Sequence, residues 1–467
     1  MSYFFPGRKN KTENFFTFSE LSKKNCVDFP RFFKTFWKKA SNYIYTRKED
    51  NILILPPNRI YKINDSGIRT IEFLKGRNSL KKLKFKNEER FFSLINFLKT
   101  LMFYYDYENN SKYYGDFPVL ETVPFDFNFN RLPVLGEIAV TYRCNNKCLF
   151  CYAGCNNSAG SGTAKRLEMV DYSTGDLKKI IKVFKEEAKI PFFSFTGGEP
   201  LLRKDLNELI SYSVKNGLIV NLVTNGTLAT KKCVAGLYKA GLRTAQVSIE
   251  SAIPEEHDFL TGRKGAFHET LEGIKNLKSG GISVQTNTTI NSLNKKSVFN
   301  LPDFLYTLGI DTFAMNMYIP SGTGLSREEL FISYEEIGSI VDEIKKKAQK
   351  LGMTFYWYSP TPYCIYNPIS SGLGNKSCAA FDSLISVAPN GDVLPCSSWD
   401  ESMGNLLNQD FKTIWFSARG DYFRNKHFAP SECSGCQAFI PCQGACPLYW
   451  KVKSSTVLNS CKKEVEK

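Results

Sequence analysis

TYRCNNKCLFCYAGC, residues 141–155, puts Cys144, Cys148 and Cys151 into one short loop with the spacing C-x3-C-x2-C. The β-rich stretch Glu137–Thr141 precedes it, so the loop leaves the end of a strand. Three thiolates this close suit a four-iron cluster in which one iron is left without a protein ligand and can bind a small molecule. Eight more cysteines lie downstream: Cys364, Cys378, Cys396, the run Cys433-x2-Cys436-x5-Cys442-x3-Cys446, and Cys461. Eight thiolates are enough for two further four-cysteine clusters. Taken alone, the Cys433–Cys446 run fits a structural zinc site equally well. Cys26, Cys155 and Cys233 complete the 14 cysteines and read as buried thiols.

Composition bounds the rest. A chain of 467 residues, 42% hydrophobic and 23% charged, has room for two or three globular domains. The longest apolar stretch, Phe91–Tyr105, is short and broken by Lys99, so no membrane span is expected. The start, MSYFFPGRKNKTENFF, has no apolar core or cleavage site of a secretory signal. Clustered cysteines in such a chain point to the cytoplasm and to metal rather than disulfides. His257, His268 and His427 are the three histidines, and none is spaced as a metal pair. The net charge is +15, concentrated before residue 48. That segment reads as a solvated basic arm, with an acidic partner as the alternative.

Pattern divides the chain. Residues 1–42 are the basic arm. In 43–105, strands at Tyr43–Thr46, Ile52–Leu55 and Ile60–Ile63, with a Pro56-Pro57-Asn58 turn, precede a helix capped at Ser66 and ending at Gly76, then a helix over Glu88–Tyr104. A polar linker spans 106–133. From 134 to 330 strands and helices alternate: strands at Glu137–Thr141, Phe192–Thr196, Ile219–Thr224, Thr244–Ile249, Ser283–Ile290 and Phe313–Tyr318. Helices Thr174–Ala188, Asp205–Asn216, Lys231–Ala240, His268–Ser279 and Ser297–Leu308 lie between them. Six such units imply an α/β fold with a parallel sheet, an open or partial barrel, whose site lies at the carboxyl ends of its strands. A helix bridges 331–357. Residues 358–467 are rich in Gly, Pro and Cys and have little periodicity, so bound clusters would stabilise them.

Thr196-Gly197-Gly198-Glu199-Pro200 follows the second strand. Its glycines allow close backbone approach to a ligand, and Glu199 can accept from an amino group. With GGEP about 45 residues beyond C-x3-C-x2-C, residues 134–325 resemble the radical S-adenosylmethionine (SAM) enzymes. The resemblance implies a partial (β/α)6 TIM barrel core. It implies that Cys144, Cys148 and Cys151 hold a 4Fe–4S cluster whose free iron chelates SAM, with Phe150 near the adenine. It places Thr196–Pro200 at the SAM amino group and Ser248 and Glu250 at the ribose; Asn225 either supports the site or shapes a turn. The implied reaction is reductive cleavage of SAM to methionine and a 5′-deoxyadenosyl radical, with electrons from a flavodoxin- or ferredoxin-type donor.

The spacing Cys378-x12-Gly391-x4-Cys396, Cys433–Cys446, Cys461 resembles the SPASM auxiliary-cluster domain. By that pattern one cluster takes Cys378, Cys396 and Cys446, with Cys364 as an eighth ligand outside the seven-cysteine signature. The other takes Cys433, Cys436, Cys442 and Cys461. Three iron–sulfur clusters are then expected in all. The segment ILILPPNRIYKINDSGIRTIEFLKG with the helix after it is similar to the PqqD-like peptide chaperone of pyrroloquinoline quinone biosynthesis. That small winged-helix-like α+β domain would bind the leader of a precursor peptide as an added strand; the alternative is a cap with no peptide ligand. These features together imply a ribosomal peptide maturase forming a thioether, carbon–carbon or related crosslink, with no nucleic acid partner. Formylglycine-forming relatives carry an Asp base directly after the equivalent of Cys396; here Ser397 stands there, which disfavours that chemistry. The alternatives are action on a small molecule or a cofactor precursor such as a haem-type side chain, and a zinc-bound, basic, nucleic-acid-binding adaptor.

Overall fold

The computed structural model describes residues 16–24, 29–55, 59–106, 129–155 and 171–459. Cys26, Cys461, the Pro56–Asn58 turn and most of the expected linker lie outside the described residues. The chain divides into two compact units, one reaching to Phe125 with Phe129–Arg131, the other essentially Leu132 onward.

In the first unit, β2 (Tyr45–Arg47), β3 (Ile52–Leu55) and β4 (Arg59–Lys62) form an antiparallel sheet with β3 in the middle. All four residues of β3 are buried, as an ILIL run predicts for a strand covered on both faces. The helix Asp65–Lys75 is capped by Asn64, not Ser66. The Asn64 side-chain oxygen accepts from the Gly67 amide at 2.9 Å, since the helix begins two residues earlier than its apolar pattern shows. Helix Glu88–Asp106 packs Phe91, Leu94 and Leu98 into the same core.

The basic arm is corrected by the structure. Phe18–Lys24 and Phe29–Ala40 are helices, and β1 (Phe16–Thr17) pairs with β5 (Lys84–Phe85). Phe18, Leu21, Phe33 and Phe36 enter the unit's core, where the Phe18 ring meets Phe91 edge-on at 5.2 Å. Charge counting missed this because the apolar face is aromatic and interleaved with lysines. Phe18→Ala should therefore cost about 3–5 kcal/mol, read as faster amide exchange across residues 29–106 in the full chain.

The second unit is built on one sheet. β6 (Leu135–Thr141), β7 (Phe192–Gly197), β8 (Ile219–Thr224), β9 (Thr244–Ser248), β10 (Ser283–Ile290) and β11 (Thr312–Met317) lie side by side in chain order, all parallel. Helices cover the outer face. Thr174–Glu186 is typical: Ser173 caps it by accepting from the Asp176 amide, and Leu177, Ile180, Ile181 and Phe184 are buried at helical spacing. β10 shows the strand logic. Val284, Thr286, Thr288 and Ile290 are buried, and the alternate residues Asn287 and Thr289 line a cavity on the inner face.

Two additions go beyond six strands. β12 (Thr354–Trp357) extends the sheet past β11. β13 (Leu384–Val387) pairs parallel with β6 on the other side, Ser386 opposite Glu137, and continues antiparallel into β14 (Asp392–Leu394) and β15 (Gly404–Asn405). The cysteine-rich region is thus joined to the sheet, and Phe381, Ile385, Trp415 and Phe423 share the main core. Among the described residues no helix is long and apolar enough to cross a membrane.

Candidate active site

The cysteine loop leaves the carboxyl end of β6 and is fixed on three sides by backbone hydrogen bonds. Gly198 N–H donates to the Thr141 carbonyl at 2.8 Å and Glu199 N–H to the Arg143 carbonyl at 2.9 Å. Lys147 and Leu149 amides donate to the Thr261 and Leu260 carbonyls, both at 2.9 Å, at the end of helix Pro254–Thr261, an element the sequence pattern did not show. The Thr323 amide donates to the Cys151 carbonyl at 2.9 Å. Glycine is required at the β7 turn. Gly197 has φ +131°, and a β-carbon there or at Gly198 would collide with the Thr141 or Arg143 carbonyl.

Cys144, Cys148 and Cys151 face one cavity of about 490 Å³. Burial pushes the Cys144 thiol up to about 11, and burial with the neighbouring Cys151 and Cys144 raises Cys148 as well. Cys151 is drawn the other way, because the Cys155 thiol and the amides of residues 153–155 point at its sulfur. Cys155 is therefore in contact with the loop's third cysteine. The Asn225 side-chain amide donates to Asn145 Oδ1 at 2.9 Å and points toward the Cys144 sulfur at 3.9 Å.

Phe150, Thr196, Gly197, Gly198, Asn225, Ser248 and Glu250 all line the cavity. Glu199 and Pro200 do not. The Glu199 carboxylate is fully buried and accepts from Thr224 Oγ1 at 2.7 Å, Asn225 N at 2.8 Å and Leu201 N at 3.0 Å; it braces β7 against the turn after β8. Burial pushes Glu250 up to about 8, although it accepts from the Thr289 amide at 2.9 Å. His257 accepts from the Glu250 amide through Nδ1 at 3.1 Å, and its buried Nε2 has no partner.

The same cavity reaches Cys378, Cys396 and Cys446. The three lie close enough for Cys378 and Cys446 to raise the Cys396 thiol, after the larger effect of burial. Cys442 lies apart from these, near Cys436, and its sulfur accepts from the Tyr363 amide at 3.3 Å. Cys364 and Cys436 are exposed and Cys433 partly so; Cys364 is not in the cavity lining. Glu137 is a cavity residue that the sequence reading passed over: it sits inside a strand, with no motif around it. Ser386 Oγ donates to it at 2.7 Å, and Ser397 also bonds to it.

Residues 138–298 match the model of the Radical SAM superfamily and residues 378–437 that of the iron–sulfur cluster-binding SPASM domain. The chain is a radical SAM enzyme with a SPASM domain. An AdoMet-dependent heme synthase of Methanosarcina barkeri is 28% identical over 321 residues, 65% of this chain and 88% of that protein. The subtilosin biosynthesis protein AlbA of Bacillus subtilis is 27% identical over 305 residues, 61% of this chain and 60% of AlbA. The crystal structure of Streptococcus suis SuiB bound to precursor peptide SuiA shares the fold with a TM-score of 0.64 at 17% identity, covering 89% of this chain and 97% of that one. That share exceeds the second unit alone, so the likeness extends into the first.

The cofactors of this enzyme class are SAM and iron–sulfur clusters, and the site fits them. Three half-buried thiols face one cavity, Gly197 and Gly198 line it beside them, and Asn287 Oδ1 and His257 Nε2 are buried without partners. Beside Cys442, the amide of the buried Gln443 is likewise without a partner on either atom.

Two outcomes are expected. Gly198→Ala should break the bond between the β7 turn and the cysteine loop, so that iron content after reconstitution and the thermal midpoint both fall. The folded chain holds the Glu250 proton to about pH 8 against an ordinary value of 4.5. Between those values it binds more protons than the unfolded chain, so stability falls as pH rises. Thermal midpoints should show Glu250→Gln gaining on the native protein from about pH 5 to about pH 8, and a constant difference would refute the assignment.

Proposed function

We propose that this enzyme is a ribosomal peptide maturase of the cytoplasm. In this reading, residues 43–105 bind a precursor's leader and the second unit modifies its core by radical chemistry. The observation that carries the reading is the cavity lining: among the described residues it contains no Lys or Arg. A haem-type precursor presents several carboxylates, which proteins recognise with arginine and lysine. Uncharged Gln246, Asn287, Asn316, Tyr358 and Ser359 instead suit a peptide segment. The volume must also take SAM and a cluster, which leaves room for a side chain or two. SuiB, whose fold this chain shares across both units, was crystallised with a precursor peptide. The 28% identical heme synthase favours the second reading, a haem-type side chain.

Cys144, Cys148 and Cys151 would hold the SAM-binding cluster. Cys378, Cys396 and Cys446, with Cys364, would hold one auxiliary cluster, and Cys433, Cys436, Cys442 and Cys461 the other. When bound, SAM and its cluster supply a hydrogen-abstracting radical by reductive cleavage. The protein's own residues position and shield. Gly197 and Gly198 let backbone approach the cofactor's amino acid end, and Asn225 orients the Cys144 loop. Ser248 and Glu250 face the ribose side, and Glu250, neutral below about pH 8, can donate a hydrogen bond there. The enclosing strands keep water from the reacting carbon. A flavodoxin- or ferredoxin-type carrier would supply the electron.

Anaerobic incubation with SAM, reductant and a precursor peptide encoded beside this gene should give deoxyadenosine and a mass-shifted peptide. Removing the leader should abolish the shift, and peptide-independent turnover with a haem precursor would reverse the choice. Reconstituted protein should hold about twelve irons, falling by about four in Cys144→Ala.

A further inference from the structure

Among the described residues the cavity lining holds two carboxyl groups, Glu137 and Glu250, and no Lys or Arg. Glu137 lies on the inner face of β6, half-buried and lining the cavity. Its neighbours across the sheet are Ser194 on β7 and Ser386 on β13, both uncharged. Burial holds its carboxyl above the ordinary carboxylate range, and the Ser386 and Ser397 hydroxyls that bond to it act the other way. Among the described residues no cation pairs with it, and the ionisable groups that face it, Tyr152 and Cys396, are neutral or anionic. It stands between the two cysteine sets, within electrostatic reach of Cys396 on one side and of Tyr152 in the first loop on the other. A carboxylate on this half-buried wall is disfavoured by desolvation until a positive charge meets it.

The geometry points to a subsite at Glu137 that takes a cationic side chain of the substrate, an ammonium or a guanidinium. It rests on the peptide-maturase reading and adds to it the kind of core residue presented: a lysine or arginine held between the SAM-cleaving loop and the auxiliary cysteines. Charge-assisted hydrogen bonds from the cation to Glu137 stabilise the bound peptide and its orientation. The bare cavity rejects anionic side chains for the same reason.

The test needs no knowledge of the natural peptide. Reconstituted, SAM-loaded full-length protein is titrated at pH 7 with n-butylammonium, n-butylguanidinium, n-butanol and butyrate, with binding read by saturation-transfer NMR. The native protein should bind both cations at least tenfold more tightly than n-butanol and exclude butyrate. Glu137→Gln should lose that preference while binding n-butanol and SAM as before, and Glu137→Asp, which keeps the charge, should retain it in weakened form. Equal binding of cations and n-butanol by the native protein would overturn the subsite, as would a Gln variant that still prefers cations. A variant that weakens all four probes together would also overturn it, since that marks a purely structural role. If Glu137→Gln does not fold, the native ranking and the Asp variant decide. Failure here alongside leader-dependent peptide turnover removes the subsite alone, whereas absence of any peptide dependence removes the reading beneath it.

Discussion

The pair of hydrogen bonds from the Gly198 and Glu199 amides to the Thr141 and Arg143 carbonyls is the constraint on which the site depends. A loop with three cysteines has no fixed shape of its own. These bonds extend the β6–β7 pairing past the end of regular sheet and into the loop, so the thiols face inward instead of outward. They require two residues without side chains at the turn, and they require the Glu199 carboxylate beneath it to hold the β8 turn through Thr224 and Asn225. The same run that fixes the cysteine loop therefore also holds three strands together at their carboxyl ends.

A second consequence follows from β13. Its parallel pairing with β6 places Ser386 directly opposite Glu137, which brings the cysteine-rich region into the wall of the barrel's own cavity. Two sets of cysteines then line one cavity, whose ionisable groups are almost entirely carboxyls and thiols. In such a space an ionised group is expensive and a matching substrate charge is correspondingly selective. Ser397, which marked a departure from formylglycine-forming enzymes, proves to be a partner of a carboxylate delivered from another strand.

Much of this was legible in order along the chain. The six strands of the core matched their expected spans closely, because alternation such as that of β10 and helical spacing such as Leu177, Ile180, Ile181 and Phe184 are local signals. Helix Pro254–Thr261 escaped notice because it is short and weakly amphipathic. The helices before residue 41 escaped because their aromatic faces are interrupted by lysines. Asn64 rather than Ser66 caps its helix because cap choice depends on where the first turn begins, which sequence marks only within a few residues. Of the residues that line the cavity, Cys144, Cys148, Cys151 and both glycines stand out by motif spacing and Ser248 and Glu250 by the resemblance of the core, whereas Glu137, His257 and Asn287 carry no motif.

By itself the sequence determined the chemistry: eleven cysteines in two spacings, and a double glycine after the second strand, specify which ligands and turns the chain possesses, since ligand count and backbone permissiveness are properties of residues. Tertiary structure alone decided how they meet. Which cysteines share a space, that Glu199 faces away from it, that the two cysteine regions open onto one cavity, and that Glu137 is left there without a counter-charge all depend on strands distant in the chain lying side by side. Contacts between residues 249 positions apart, as for Ser386 and Glu137, are set by the sheet order and have no local signature to read.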